Sequence, residues 1–311
     1  MNLRKNRGPF YSLLRGWRQA RQAAFLLLLL AAMLLGLSAC SAIQQAADET
    51  LPASEGGGQH NLRVIFLDVG QGASQLVIAP SGKTMLIDAG NNDKEQLMLD
   101  YLHAYGITKL DVVVGTHPDA DHIGGLDKVI DQTDIGSIYL PKASSNTKTF
   151  ESLLTSIKGK GLKVNTAKAG VTLDLGAGIT VKMVAPVKNY EDSNDRSAVV
   201  KIGYGDTSFL LTGDAESPSE KDMLASGADL SADVLLVGHH GSKSSTSLSF
   251  LKAVHPRYAI IQVGKDNKYG HPTQTILNRL KKQGIQVYRN DLQGTIEVDS
   301  DGTKLNIQTE R

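Results

Sequence analysis

The sequence has few of the residues that stabilise small secreted domains or stack on nucleobases. It has one cysteine, Cys40, so no disulfide can form within the chain. The stretch of about 250 residues from residue 61 onward is long enough to bury a core, and we expect packing to hold it together. Aromatic residues make up only 5% of the sequence, which argues against an extensive groove of stacking side chains.

The first forty residues also lack acidic side chains, which sets them apart from the remainder. An apolar run over residues 23–37 follows their basic residues and leads into Leu37-Ser38-Ala39-Cys40. A basic start, about 15 apolar residues and small residues at the end indicate a secretory signal, because a membrane span needs about 20. A single anchoring helix is the alternative. The basic residues are Arg4, Lys5, Arg7, Arg15, Arg18 and Arg21.

The Leu-Ser-Ala-Cys ending resembles the bacterial lipobox, whose cysteine becomes the lipidated first residue of the mature chain. Lipidation would give the lone cysteine a role. Residues 41–60 are small, polar and glycine-rich, as in a flexible tether. We therefore expect a signal peptide over residues 1–40, a linker over 41–60 and a folded domain over 61–311. The resemblance implies an extracytoplasmic protein anchored by lipid to the bacterial cell membrane.

The charged residues, which sum to a formal net charge of +1, are unevenly distributed along the sequence. Without the leader, 27 basic residues face 32 acidic ones, so the mature chain is acidic. Residues 241–289 nevertheless contain nine basic residues and Asp266 as the single acidic one. This surplus indicates a face that binds anions such as phosphate; solvated lysines on helices and loops are the alternative.

Short apolar runs alternate with amphipathic ones along the chain, and the second half repeats the order of the first. Each half has a buried strand that ends in a polar loop. We expect a layered α/β protein with its chemistry where the carboxyl ends of strands from both halves meet. The predicted helices are 93–105, 123–132, 147–159, 218–226, 246–254 and 272–282. The predicted strands are 62–69, 74–79, 83–88, 110–116, 137–140, 162–166, 198–204, 207–213, 232–238 and 257–264, with more at the end of the chain.

Potential metal ligands crowd the stretch THPDADHIGG, residues 116–125, directly after the predicted strand 110–116. Pro118 lacks an amide hydrogen and restricts the residue before it, so the stretch leaves the strand as a loop. Gly124 and Gly125 are expected to let the backbone turn tightly afterwards.

The ligands in this loop have the spacing H-x-D-x-D-H. His117 and Asp119 can face one point, and Asp121 and His122 can face a second. Histidine and carboxylate ligands suit zinc, or manganese and iron where oxygen predominates. The alternative is a polar loop in which Asp121 caps the next helix.

This spacing is similar to the metal signature of the metallo-β-lactamase fold, whose commoner form is H-x-H-x-D-H. The Asp119 variant resembles the branch that contains the hydrolase domain of the competence protein ComEC and phosphorylcholine esterases. The resemblance spans about residues 61–311 and implies a four-layer αββα sandwich of two similar halves. Further motifs that resemble the ComEC branch are FLDVGQGAS (66–74), MLIDAG (85–90), SNDRSAVV (193–200), FLLTGDAE (209–216), LLVGHHGSKSS (235–245) and NKYGHPTQ (267–274).

The resemblance implies two divalent metal ions, Zn²⁺ or Mn²⁺. Asp214 would bridge them because a carboxylate offers two oxygens; an N-cap of the following helix is the alternative role. The implied ligands are His117 and Asp119 for the first metal, Asp121, His122 and His240 for the second, and Asp214 for both.

His240 is preferred over His239 as a ligand because the histidine before the glycine matches the family's last ligand. Adjacent side chains in an extended segment point in different directions, so we expect His239 near the substrate or outside the ligand set. The family also implies catalytic roles for Asp121, His239 and His271.

The chain departs from the common family pattern at two places. Residues 192–197 contain no histidine where most members have a further ligand, although the ComEC branch also has Asn and Ser there. We therefore expect a first metal that is weakly held or completed by water and substrate. Ala73-Ser74 stand where the branch commonly has an acidic residue, which puts polar roles for Asp68 and Gln71 in doubt.

Other candidate residues surround the implied ligands. Asp88 and Asn194 are expected behind them, where hydrogen bonds would orient the metal-binding side chains. His271 is expected to contact a phosphate or donate a proton, with a structural role as the alternative. The candidate substrate-binding residues are Lys243, Lys265, Lys268 and His271.

The resemblance implies a metal-dependent hydrolase, and the ComEC branch implies a phosphodiesterase or nuclease that acts on DNA outside the cell in DNA uptake or processing. A phosphorylcholine-esterase-like enzyme acting on cell-envelope substrates is one alternative. Lactonase or β-lactamase chemistry is another, although the missing histidine counts against it. The last alternative is a non-catalytic metal-binding partner of a DNA-uptake assembly.

Overall fold

The computed structural model describes residues 61–143 and 145–311. The predicted signal peptide, the linker and Cys40 lie outside the described residues. Among the helices of the described ranges, none has the length and apolarity that crossing a membrane requires.

Eight strands form the first sheet, in the order β14-β13-β1-β2-β3-β4-β5-β6 when labelled along the chain. The pairs from β3 to β6 are parallel and the others antiparallel. The strands are β1 (Leu62–Phe66), β2 (Gln75–Ile78), β3 (Thr84–Ile87), β4 (Lys109–Val114), β5 (Asp134–Pro141), β6 (Val164–Ala167), β13 (Ile296–Ser300) and β14 (Leu305–Thr309).

Six strands form the second sheet, in the order β12-β11-β10-β9-β8-β7. The pairs from β9 to β12 are parallel, and β7 and β8 continue the sheet in antiparallel fashion. The strands are β7 (Ile179–Ala185), β8 (Val199–Tyr204), β9 (Thr207–Leu211), β10 (Val234–Leu236), β11 (Tyr258–Ile261) and β12 (Gln286–Arg289).

Helices cover the outer face of each sheet. Helices α1 to α4 follow strands of the first sheet, and α5 to α7 follow strands of the second. The resulting order of layers is αββα, so the predicted fold class is confirmed. The helices are α1 (Glu95–Ala104), α2 (Ala120–Ile123), α3 (Leu126–Gln132), α4 (Lys148–Gly159), α5 (Ser217–Ala225), α6 (Leu248–Val254), α7 (Gln274–Lys282) and α8 (Asn290–Gln293).

The alternation of side chains along each strand builds three apolar layers. In β4, Val112 and Val114 face the second sheet, whereas Val113 faces the helices of the first half. Phe66 and Phe209 both lie in the layer between the sheets and are fully buried. Burying a side chain of this size stabilises the fold by about 2–3 kcal/mol. A third layer lies between the second sheet and α5 to α7.

Three features differ from the sequence prediction. Strand β7 was not predicted, although its burial pattern has the alternation of a strand with one covered face. The predicted helix 123–132 is divided into α2 and α3. The terminal strands also separate, because β12 joins the second sheet whereas β13 pairs with β1 of the first, with Val298 opposite Val64. The sheet of the first half is therefore completed by the end of the chain.

Candidate metal centre

The H-x-D-x-D-H loop leaves β4 at its carboxyl end, as predicted, and neighbouring loops support its backbone. The amide of Ala73 donates to the carbonyl of Asp121 at 3.1 Å, and the amide of Ala89 donates to that of His122 at 2.7 Å. A β-carbon on Gly72 would lie 2.5 Å from the Asp121 oxygen, so this close approach requires glycine. The VGQG motif therefore acts through its backbone, and its missing acidic residue leaves that support intact.

Gly124 and Gly125 have a different role from the predicted tight turn. Both have helical backbone angles with negative φ that any residue can adopt. A β-carbon on Gly124 would lie 2.3 Å from the amide nitrogen of Asn92. The glycines are required because the loop after β3 packs directly against them.

The second half contributes from the carboxyl ends of β9 and β10. Asp214 follows β9, and His239 and His240 follow β10, which is parallel to β9. Ser197 Oγ accepts a hydrogen bond from the Asp214 amide at 3.0 Å, which fixes the start of that loop. The predicted meeting of polar loops from both halves is therefore present.

Asp214 lies at the centre of the assembled site and is 4% exposed. Its Oδ1 lies 3.2 Å from His122 Nε2. Its Oδ2 lies 3.6–3.9 Å from three more Nε2 atoms, those of His240, His239 and His117. Asp214 therefore lies between histidine rings from both halves.

Asp119 and Asp121 lie on opposite sides of this centre. Asp119 Oδ2 is 3.8 Å from His117 Nε2, and Asp121 Oδ2 is 3.4 Å from His240 Nε2. His117 and Asp119, which the spacing paired, lie close together, and the donor atoms of the second pair, Asp121 and His122, lie within 4.8 Å of each other.

Every histidine of the site has a partner at Nδ1, which leaves Nε2 directed at the centre. His122 Nδ1 donates to Asp88 Oδ2 at 2.7 Å, and His240 Nδ1 donates to the carbonyl of Gln262 at 2.8 Å. His239 Nδ1 lies 2.7 Å from Glu216 Oε1. His117 Nδ1 lies 3.0 Å from the hydroxyl of Thr116, which itself donates to Asp88. Such partners fix the ring and its tautomer, as they do for metal ligands.

The charges of the site are strongly coupled. Burial opposes ionisation of Asp214, but His122 and His240 outweigh it and hold the pKa of Asp214 well below its usual value. Burial alone would lower the pKa of His122, yet Asp214 and Asp88 raise that pKa well above its usual value. Burial lowers the pKa of His117, and the charge of His122 lowers it further. The neighbouring histidines therefore favour the ionised form of the buried Asp214 carboxyl group.

Three non-glycine residues of the site have left-handed backbone conformations: Asp88 (φ 58°), His239 (φ 48°) and His240 (φ 53°). Such conformations cost on the order of 1 kcal/mol or more and concentrate at functional sites. The expectation of an extended segment around His239 and His240 is therefore wrong. The left-handed turn directs both Nε2 atoms towards Asp214 Oδ2.

The arrangement of donors fits divalent metal binding. Donor atoms of His117, His122 and Asp214 lie within 4.8 Å of one another, as do those of Asp121, His122 and His240. His117 Nε2 is buried and has no hydrogen-bond partner among the described residues. A buried nitrogen without a partner costs about 1–3 kcal/mol, and a bound cation would remove that cost.

The predicted supporting residues have different positions. Asp88 lies directly behind the ligands, where it also accepts from the Thr116 amide at 2.8 Å. Asn194 lies behind His239, with its amide 3.4 Å from Glu216 Oε1 and 3.5 Å from His239 Nδ1. His271 contacts His239 edge-on, with ring centroids 5.6 Å apart. Burial lowers the pKa of His271, and His239 lowers it further.

The predicted basic residues are exposed and lie outside the ligand cluster. Lys268 lies over the ring of Tyr269, at 5.3 Å. Among the described ion pairs, none links Lys243 or Lys265 to a ligand.

Sequence reasoning missed Glu216, Thr116, Ser197 and Gln262. The side chain of Gln262 links the halves, because its amide donates to the carbonyls of Leu67 and Ser74 at 2.9 Å. The doubted residues Asp68 and Gln71 make structural contacts, with Arg311 and with the Gly264 amide. Two of these residues lie close to ligands in the sequence, because Glu216 comes two residues after Asp214 and Thr116 directly precedes His117. The side chains of Ser197 and Gln262 contact residues that are distant along the chain.

With this geometry established, comparison with known proteins identifies the family. The family described as Metallo-beta-lactamase superfamily matches residues 67–265. The chain belongs to this superfamily. Membership implies a metal-dependent hydrolase, and the His/Asp groups described above are suited to divalent metals.

Curated relatives of this superfamily member include proteins named for competence. ComE operon protein 3 of Bacillus subtilis (strain 168) is 32% identical over 252 residues, which cover 75% of this chain and 32% of that protein. Competence protein ComA of Neisseria gonorrhoeae is 32% identical over 243 residues, which cover 77% of this chain and 32% of that protein. The chain thus spans about a third of the length of these relatives.

Among solved structures, the metallo-beta-lactamase fold protein YhfI from Bacillus subtilis is similar with a TM-score of 0.51 and 13% identity. The similarity covers 78% of this chain and 100% of that one, and at this identity it shows the fold alone. The prediction of a metallo-β-lactamase-type hydrolase similar to competence proteins is therefore confirmed. The roles of single residues, the number of metals, the DNA substrate and the lipid anchor stay predictions.

Proposed function

We propose that the described domain hydrolyses phosphodiester bonds of DNA outside the cell. The observation that carries the proposal is the central carboxylate of Asp214, which four histidine Nε2 atoms surround. Two divalent ions bound there would supply an activated water and stabilise negative charge on a phosphoryl group. The relative named Competence protein ComA supports DNA as the source of the phosphodiester.

The residues of the chain would hold the reacting groups in fixed geometry. Asp88, Glu216 and the carbonyl of Gln262 orient the histidine rings before substrate arrives. Because these contacts exist in the resting protein, little reorganisation would accompany the reaction. His271 lies beside His239, with ring centroids 5.6 Å apart, and its Nδ1 is buried without a hydrogen-bond partner among the described residues.

The basic segment over residues 241–289 suits an anionic polymer. It contains the exposed residues Lys243, Lys265 and Lys268. It also contains His271, whose ring contacts that of His239. Lysines near a phosphodiester attract its backbone through long-range electrostatics, so binding should weaken as salt rises.

The proposal is tested by incubating the purified full-length protein with plasmid DNA, single-stranded DNA and a phosphorylcholine ester, each with Mn²⁺ or Zn²⁺. We expect cleavage of DNA, and we expect His240→Ala to abolish it. His103→Ala is the matched control, because His103 is an exposed histidine on α1. Cleavage of the phosphorylcholine ester alone would contradict the DNA proposal, and cleavage of neither substrate would favour the non-catalytic alternative.

We also propose that a lipid on Cys40 anchors the protein to the outer face of the bacterial membrane. The proposal depends on the basic start, the apolar run and the lone cysteine of the sequence. Cys40→Ser should release or misprocess the protein, as measured by membrane fractionation and by mass spectrometry of the amino terminus. An unaltered distribution between membrane and medium would refute the anchor.

A further inference from the structure

The loop after β11 presents an aromatic ring to solvent. Tyr269 is 57% exposed, whereas every other aromatic side chain in the described ranges is buried or partly buried. An exposed ring of this size gains stability when another planar group covers it. Tyr269 is therefore the aromatic side chain of the described residues that is most accessible to a ligand.

This ring belongs to a series of contacts that leads to the metal-ligand cluster. Tyr269 stacks on His271 with 5.9 Å between ring centroids and 25° between ring planes. His271 in turn contacts His239 edge-on at 5.6 Å. His239 Nε2 lies 3.7 Å from Asp214 Oδ2. A DNA strand with one base stacked on Tyr269 could thus place a nearby phosphate at the cluster.

The loop holds Tyr269 in place before any ligand arrives. The side-chain amide of Asn267 donates to the carbonyls of Gly264 and His271, at 3.0 and 2.6 Å. Its oxygen accepts from the backbone amides of Tyr269 and His271, at 3.2 and 3.1 Å. A loop whose backbone is held in this way loses little freedom on binding, so more of the stacking energy contributes to affinity.

The charge around the ring selects the ligand. The Lys268 ammonium lies 5.3 Å from the centre of the Tyr269 ring, and Lys265 is exposed in the same loop. A quaternary ammonium such as choline would be repelled by the Lys268 ammonium, which already lies over the ring. The segment 241–289 offers such a cation only one acidic residue, Asp266. A planar base attached to a phosphate satisfies both the ring and the lysines.

We propose that Tyr269 is a base-stacking subsite for single-stranded DNA, with Lys268 contacting the adjoining phosphate. The proposal rests on the proposed phosphodiesterase function and specifies its substrate. The strand must be single because a base within a duplex has both faces covered by its neighbours, whereas an unpaired base can stack on a side chain. One exposed ring also agrees with the low aromatic content of the sequence.

The test compares two fluorescent oligonucleotides of equal length, one carrying bases and one abasic at every position. Binding to the full-length protein is measured by anisotropy in a chelator, which prevents cleavage. We expect Tyr269→Ala to weaken binding of the base-containing strand about tenfold and to leave the abasic strand within about twofold. Tyr269→Phe should retain both affinities, because phenylalanine stacks without the hydroxyl. In a second readout, 2-aminopurine in the strand should lose fluorescence on binding to wild type and less on binding to Tyr269→Ala.

Leu292→Ala is the control, because it removes a similarly exposed apolar side chain from α8. It should change neither affinity. Lys268→Ala should weaken both oligonucleotides alike and reduce the salt dependence of binding, as expected for a phosphate contact.

Two outcomes would overturn the stacking subsite. Equal losses for both oligonucleotides in Tyr269→Ala, or no loss for either, would show that the ring does not recognise bases. In both cases DNA cleavage by wild type would leave the phosphodiesterase proposal standing. If wild type neither binds nor cleaves DNA but hydrolyses a phosphorylcholine ester, the proposed function fails and the stacking subsite fails with it.

Discussion

The two sides of the metal-ligand cluster differ in how closely their donors approach. The tight group comprises Asp121, His122 and His240, whose facing donor atoms are 3.3–3.4 Å apart. The open group comprises His117, Asp119 and His239, whose facing atoms lie 3.7–3.9 Å from their carboxylate partners, including the shared Asp214. The side chain of Asp119 is 46% exposed, against 29% for Asp121.

We relate this difference in donor-atom distances to the weakly held first metal that the sequence predicts. The segment over residues 192–197 supplies Asn194 and Ser197 behind the ligands, but no histidine. His239 comes from the second half, and we count it with the open group because its Nε2 lies 3.7 Å from Asp214 Oδ2. We expect the tight group to bind its metal more firmly and the open group to leave room for water or substrate.

The largest expected effect follows from removing the residue that both groups share. Asp214→Ala should lose both metals and lower phosphodiester turnover by roughly 10³-fold or more, since the bridging charge disappears. Metal content by elemental analysis and turnover of a labelled oligonucleotide would measure this. Asp214→Asn keeps the shape and serves as the folding control. A metal content equal to that of wild type in both variants would show that Asp214 does not bind metal.

A pair of variants separates the groups. Asp121→Ala should abolish the firmer binding event in a Zn²⁺ titration, whereas Asp119→Ala should retain it and weaken the second event by about 10- to 100-fold. The physical reason is that Asp121 belongs to the closely spaced donors and Asp119 to the exposed ones. Calorimetry would resolve the two events. Identical titrations for both variants would show that the groups are equivalent.

A smaller effect is expected from the residue that orients His122. Asp88→Asn exchanges an acceptor for a donor that faces His122 Nδ1 and the Thr116 hydroxyl. We expect metal affinity of the tight group to fall by about tenfold while the fold is retained. The thermal unfolding midpoint of the metal-free protein would report on the fold. An unchanged affinity for metal would mean that Asp88 only stabilises the loop.

The smallest effect concerns the partner of His239. Glu216→Gln keeps an oxygen for His239 Nδ1 and for the Ser244 hydroxyl but removes the negative charge. Glu216→Gln should lower the metal affinity of the open group by only a few-fold. Glu216→Ala should lower it further, because the His239 ring loses its partner. A Zn²⁺ titration of both variants measures the difference. A loss confined to the firmer event would place His239 in the tight group instead.

Much of the site was predictable because its residues are close together in the sequence. His117, Asp119, Asp121 and His122 come from one loop after one strand, so spacing alone indicated a metal site. The resemblance added Asp214 and His240. Glu216 and Gln262 were missed because their contacts depend on how distant loops meet; Gln262 bonds to residues 188 and 195 positions away. The direction of His239 was missed because a left-handed pair of residues has no signature outside glycine-rich turns.

The sequence by itself determined the layers, because alternating apolar residues such as those of β4 must cover two faces of a sheet. It also determined the position of the ligand loop, since the apolar run of β4 ends where Pro118 prevents a regular continuation. Only the tertiary structure decided that β13 completes the first sheet beside β1. It also decided that His239 faces Asp214 and that Tyr269 is exposed. These features follow from packing between segments far apart along the chain. The local conformational preferences of the residues do not specify such contacts.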